Sequence, residues 1–337
     1  MNKGTLLFCL FLFSACQKAA SPQQQLEVAT KGLHSAAISE RGDSLAIGSI
    51  WHGGSYWRLS DNERLFNWNH KAGESSTFVA IDFSDDGRWV LSAEAHSMVL
   101  WDASSGRAER YWTAPAEILD IELNQSANLA LLALNDHSAV IFDVRNGGIR
   151  RSFNHGNRVR SVDFNQQGNL ALSGSEDHGA RLWNVQNGEL VKHIKHEDQV
   201  QLVRLSDDGK LALSVSKYDK ALLWSTDNDD YQVELPLKTE HIRRGLHFSA
   251  ARFNHNNNLL LTGRPDQVVQ LWQLEPLMEL KRWKLPKRKA WKPTSAAVID
   301  LAFQDEHNFI AAASNGIIYQ LNINDPSASL MPNLNAL

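Results

Sequence analysis

The sequence predicts an all-β fold: a seven-bladed β-propeller of four-stranded antiparallel blades, its ring closed by an N-terminal strand. Three observations lead there. Aromatic residues recur at Trp57, Trp101, Phe142, Trp183, Trp224, Trp272 and Tyr319, in steps of 44, 41, 41, 41, 48 and 47 residues. About ten residues before each lies an apolar run, at 45–47, 89–91, 129–131, 170–172, 211–213, 259–261 and 309–311. A further set of runs precedes these, at 79–84, 118–124, 159–165 and 200–206. Short β-rich runs closed by Gly, Asn or Asp turns indicate consecutive hairpins. Seven copies at this period are those of a propeller.

The clearest unit is 155–196. It holds His155-Gly156, β-rich runs at 159–164 and 170–174, Asp177, Arg181 to Trp183, and Gly188. Trp101-Asp102 is a literal Trp-Asp pair, and Phe142-Asp143 and Trp183-Asn184 are near variants. On these residues the chain resembles the WD-repeat family over about 25–322. The resemblance implies a hydrogen-bonded His, Ser or Thr, Asp and Trp inside each blade. His155, Ser173, Asp177 and Trp183 match that set, and His196, Ser214, Asp219 and Trp224 match it with a turn one residue shorter. The family's leading Gly-His is absent, replaced by Asn69-His70, Asn154-His155 and Lys195-His196. Fold follows from this resemblance much more closely than function does, because one fold serves many functions.

Residues 1–15 read as a signal peptide, with Lys3 at the charged start and an apolar core at 6–13 too short to span a bilayer. The ending Phe13-Ser14-Ala15-Cys16 resembles a bacterial lipobox, with Phe where Leu is usual. That implies diacylation of Cys16 and cleavage before it. Gln17 after the Cys implies sorting to the outer membrane, facing the periplasm. The two cysteines are Cys9 and Cys16, so such cleavage leaves no free thiol, as suits an oxidising compartment. Residues 16–24 are expected to be the lipidated Cys and a flexible tether, 25–322 the propeller, and 323–337 an unstructured tail.

Residues 25–30 are too short for a blade, and the last repeat, 298–321, lacks a fourth strand. Joining the two removes both open edges. Blade one, 33–69, is irregular, with Gly53-Gly54 read as a turn and Trp51 and His52 as exposed. The segment 281–292 carries seven basic residues among twelve, with Trp283 and Trp291 between them. It reads as an outer strand, 280–285, followed by a loop.

No phosphate-binding loop, HExxH, GxSxG or zinc spacing is present. His70, His155, His196 and His241 precede inner strands, where the family uses His structurally. Asp136, Asp177, Asp219 and Asp266 recur once per blade, which suits a structural role better than a catalytic pair. No enzymatic activity, metal site or cofactor is therefore expected. The formal net charge of −4, or −5 without Lys3, argues against a general nucleic-acid binder. The reading is a lipid-anchored scaffold or assembly factor for envelope proteins. The alternatives are an envelope enzyme or small-ligand sensor using the central channel, and a passive structural lipoprotein. Candidate partner-binding residues are Trp51, Glu94, Arg158, Glu176, Tyr218 and Arg264 on one face, opposite the tether. Lys287, Arg288, Lys289 and Trp291 form a basic segment suited to an acidic partner or anionic lipid head groups.

Overall fold

The computed structural model describes residues 19–218, 220–237, 246–288 and 296–326. Among these the chain forms 28 strands in seven four-stranded antiparallel sheets and no helix. Strand β1 is Gln24–Glu27. Blade one is β2 (Leu33–Ile38), β3 (Ser44–Ser49), β4 (Gly53–Arg58) and β5 (Glu63–Trp68). Blade two is β6 (Ala80–Phe83), β7 (Trp89–Glu94), β8 (Ser97–Asp102) and β9 (Ala108–Thr113). Blade three is β10 (Ile118–Leu123), β11 (Leu129–Leu134), β12 (Ser138–Asp143) and β13 (Ile149–Asn154). Blade four is β14 (Val159–Phe164), β15 (Leu170–Ser175), β16 (Gly179–Asn184) and β17 (Leu190–Lys195). Blade five is β18 (Val200–Leu205), β19 (Leu211–Ser216), β20 (Ala221–Ser225) and β21 (Gln232–Leu235). Blade six is β22 (Ala250–Phe253), β23 (Leu259–Gly263), β24 (Val268–Gln273) and β25 (Met278–Lys284). Blade seven is β26 (Val298–Phe303), β27 (Asn308–Ala313), β28 (Ile317–Asn322) and β1. The recurring aromatics all fall on third strands.

Side chains write the turns. Between first and second strands, Ser39, Ser84, Asn124, Asn165, Ser206 and Asn254 each accept the backbone N–H five residues ahead, at 2.8 to 3.0 Å. Between third and fourth strands, the residue after the recurring aromatic does similar work. Asp102, Asp143 and Asn184 each accept the N–H groups two and three residues on. The residue after the aromatic is thus a turn-former, which is the usual part of Asx side chains. These two turns share what we term the lower face. The turns between second and third strands and the connections between blades form the upper face. Gly53 and Gly54 are not in a turn. They lie in β4, where a Cβ on Gly54 would sit 2.1 Å from the Phe78 ring, so the pair serves close packing.

Apolar side chains gather in seven buried clusters, each built from two neighbouring blades. No blade has a core of its own, as expected of a repeat array. Inner strand β2 touches both β6 and β26, so the ring is closed.

The N-terminal strand completes blade seven, as the sequence implies, with Gln24 paired to Gln320 and Glu27 to Ile317. Arg288 secures it. Its guanidinium donates to the Ala29 and Thr30 carbonyls and pairs with Glu27. Arg288 is therefore not part of a free basic patch. The expected flexible tether is also corrected. Ala20 is fully buried and bridges outer strand β25, its N–H bonded to the Arg282 carbonyl at 2.7 Å and its carbonyl to the Lys284 N–H at 2.8 Å. The chain thus enters along the rim of blade six instead of from the face opposite the candidate residues. The start of the expected tail is likewise ordered. Asp325 is buried and accepts the Trp283 indole N–H at 3.0 Å and the Asn322 N–H at 2.9 Å. Trp283, on the outer strand of the basic segment, is a fully buried core residue, with Phe309 packed edge-on at 5.5 Å. Residues 327–337 lie outside the described residues.

Replacing Trp283 by Ala should cost about 3–5 kcal/mol of stability, because it empties the interface of blades six and seven and strands the Asp325 carboxylate. A denaturant melt measures this; an unchanged midpoint would return Trp283 to the surface.

Candidate functional site

The blade hydrogen-bond set is present in blade four, with one addition. The Trp183 indole N–H donates to the Ser173 hydroxyl at 2.8 Å, and His155 Nε2 lies 3.0 Å from the same hydroxyl. Arg181 stands between His155 and Asp177, 2.6 Å from His155 Nδ1 and 2.9 Å from Asp177 Oδ1. A guanidinium only donates, so Nδ1 accepts and Nε2 carries the proton. Burial, then the Arg181 charge, pushes the His155 pKa down to about 4, so the ring is neutral. Asp177 also accepts the Gly156 and Gly179 N–H groups and has its pKa lowered to about 2; burial opposes this shift but is outweighed, first by the hydrogen bond from Arg181. In blade five, His196 and Trp224 both reach the Ser214 hydroxyl, at 2.8 and 3.1 Å. Asp219 lies outside the described residues. Blade two repeats the arrangement with His70, Ser92 and Trp101. These side chains are bonded inside blades and support them.

The candidate partner-binding residues divide. Trp51 and Tyr218 stand on upper-face turns with 64% and 61% of their surface exposed. Glu94 is half-buried beside His70, 3.4 Å from Nδ1. Glu176 is buried and clamped by Arg158 at 2.8 Å and Arg160 at 2.5 Å, so it and Arg158 are not free contacts. Arg264 is 2% exposed and pairs with Asp266 at 2.5 Å; its type suggested a surface residue, and its ion pair made burial tolerable. The basic segment is likewise committed. Lys281 bonds the Asp325 carbonyl, Arg282 pairs with Glu279, and Lys284 bonds the Asp266 carbonyl. Lys287 is exposed. Lys289 and Trp291 lie outside the described residues, as does Cys16.

The residues that line the central channel are not among the candidates singled out from the sequence. The penultimate residue of each inner strand is Ala37, Asp82, Glu122, Asp163, Arg204, Arg252 and Ala302 in blades one to seven. A carboxylate arc on blades two to four therefore meets two guanidiniums on blades five and six. The carboxylates are fixed by backbone across blade boundaries. Asp82 accepts the Leu123 N–H at 2.7 Å, Asp120 the Val162 N–H at 3.1 Å, Asp163 the Leu205 N–H at 2.5 Å, and Asp300 the Ile38 N–H at 2.7 Å. Arg252 pairs with Glu40 at 2.7 Å and donates to the Leu301 carbonyl at 3.1 Å. The cavity they line is about 290 Å³. A signal was available: charged residues recur at one register of otherwise apolar runs.

A family profile described as WD domain, G-beta repeat, matches residues 147–184, the outer strand of blade three and the first three strands of blade four. The repeat match and the seven-bladed ring together support a WD-repeat propeller. The profile covers one repeat, and the remaining blades carry the same architecture in the structure. No curated protein matches the chain in sequence.

The channel of this WD-repeat propeller perturbs its acids strongly. Burial pushes Asp82 up to about 8 and Asp163 up to about 6. Glu122 is raised well above the usual range by burial, then by Asp82 and Asp163. Burial opposes the charge of Arg252, but Asp300 and Glu40 outweigh it and hold the guanidinium above its ordinary value.

A raised carboxylate pKa stabilises the native state fully below the unfolded value, and that contribution is lost as pH rises through the folded value. For Asp82 the window runs from about 4 to about 8. His155, depressed to about 4, works oppositely between there and about 6.5. Above pH 6.5 the Asp82 effect should therefore dominate of these two, and the melting midpoint should fall toward pH 8. Asp82→Asn, whose amide oxygen can still accept from Leu123, should flatten that fall. Parallel pH profiles of the two proteins would contradict the assignment.

Proposed function

We propose that this chain is a lipid-anchored scaffold of a bacterial envelope that holds protein partners on its upper face. WD-repeat propellers are typically protein-interaction scaffolds. The observation that carries the choice of face is an asymmetry. Ile50, Trp51, Val79 and Tyr218 are exposed large apolar residues of the upper face, whereas among the described residues the lower-face turns expose none. Exposed aromatics on rigid turns are the common anchors of binding surfaces. Lys31 and Lys217 lie over the Trp51 and Tyr218 rings at 5.3 and 5.2 Å, which keeps these rings presented and adds positive charge beside them.

The converging polar residues of the channel favour a second reading, a small-ligand sensor. Four of its carboxylates are already held by neighbouring backbone amides, which is what ring assembly requires, so the scaffold reading is preferred. A photo-crosslinker at Trp51 or Tyr218 should capture a partner in cells more efficiently than one at Ile149 on the rim or Asp229 on the lower face. Replacing Trp51 and Tyr218 together by Ala should reduce capture without shifting the melting midpoint. Equal capture from all four sites would remove the upper face as the docking surface.

The lipobox-like sequence supports anchoring through Cys16 at the outer membrane, facing the periplasm. With Ala20 docked on the rim, four residue steps separate it from Cys16, a span of at most about 13 Å for any chain. The disc would stand close to the bilayer, edge toward it. Cys16→Ser should release the protein from the membrane fraction, since one acyl chain alone binds marginally and the diacyl group needs this thiol. Retention of the variant under high salt would show another attachment.

A further inference from the structure

We propose that the lower face carries a saccharide-binding pocket between blades five and six. A cavity of about 740 Å³ opens there, larger than the channel and of a size common for small-molecule sites. Its existence follows from turn lengths. The third-to-fourth-strand turn of blade five spans six residues, 226–231, whereas those of blades two, three and four span five and that of blade six spans four. The longer turn raises Tyr231 into a wall facing the first turn of blade six, 254–258.

The lining has two kinds of surface. Leu211, Leu274 and Tyr231 belong to the apolar cluster of blades five and six, and Leu259 packs on that of blades six and seven, so the pocket has apolar surface continuous with both cores. Around it stand the side-chain amides of Asn256, Asn258 and Gln273. An amide offers a donor and an acceptor in one plane. Adjacent sugar hydroxyls each donate and accept, so such amides offer them matching groups, although Gln273 already spends one amide N–H on the Glu275 carbonyl at 2.8 Å; the C–H face of a pyranose ring packs on aromatic and aliphatic carbon. Burial, then Glu275, raises the Tyr231 pKa, so its hydroxyl remains a donor at neutral pH. Asn256 and Asn258 are exposed, and Asn258 has its backbone N–H and amide oxygen tied to Asn254.

Charge narrows the class. Asp208 is neutralised by Lys210 at 3.5 Å, and Asp229 by Lys192 at 2.8 Å. Glu275, Asp227 and Asp230 remain nearby as exposed acids. The fit is to a neutral saccharide of one or two rings, and uronic or sulfated sugars are repelled.

The test uses the full-length protein in a non-glycosidic detergent, with saturation-transfer NMR on maltose, diacetylchitobiose and glucuronic acid. Transfer is expected to at least one neutral disaccharide and not to glucuronic acid. Tyr231→Ala and Asn256→Ala should each weaken binding about tenfold, Tyr231→Phe less, with the propeller still folded in each and the melting midpoint unchanged in Asn256→Ala. The upper-face variant lacking Trp51 and Tyr218 side chains should bind sugar normally, which separates this site from the partner surface. Absence of transfer to both disaccharides would overturn the proposal. So would undiminished transfer to folded Tyr231→Ala and Asn256→Ala.

Discussion

Every inner strand of this ring has one edge that no strand can pair, because the channel lies beside it. Backbone N–H groups on such an edge need partners. The chain supplies them from the preceding blade: Asp82 to Leu123, Asp120 to Val162, Asp163 to Leu205, Asp300 to Ile38, and the Ser161 hydroxyl to Val203 at 3.3 Å. These bonds do two things at once. They satisfy the edge, and they set the spacing of neighbouring blades at the axis, where apolar packing is thinnest. The cost is a crowd of acids in one channel, relieved partly by Arg204 and Arg252 and partly by protonation. Ring geometry and the ionisation of the channel are thus one problem.

Closure obeys the same constraint on the outside. An unpaired outer edge in blade seven would be a pairing hazard. Strand β1 covers β28, Arg288 ties the chain beyond β1 to the ring, and Ala20 adds a bridge to the outer edge of blade six. Of the five basic residues described in 281–288, Arg288 shares this work, Lys281 holds Asp325, and Arg282 and Lys284 are tied within blade six. What looks in sequence like a charged patch is thus mostly committed to internal contacts. The surfaces left free are the upper-face aromatics and the amide-lined lower-face pocket, on opposite sides of a rigid disc.

The period of the aromatics, the apolar runs and the missing fourth strand were enough to specify seven blades, their strand order and the closing strand, because those features are local patterns repeated at fixed spacing. The blade sets of His155, Ser173 and Trp183 and of His196, Ser214 and Trp224 were legible for the same reason. Arg181 was not, since its position between His155 and Asp177 depends on a side chain crossing from one strand to a turn. Nor was the fate of Glu176, Arg264 and Arg288: residue type suggested surface, and partners distant in sequence or hidden in turns drew them inward. The channel lay between these cases. Its residues occupy one register of the inner runs and could have been aligned, yet only the ring brings Asp82, Glu122 and Asp163 to face Arg204 and Arg252. Local periodicity determines which strands form and in what order; which side chains meet across blades is decided by ring closure, because that alone sets distances between residues some forty or more positions apart.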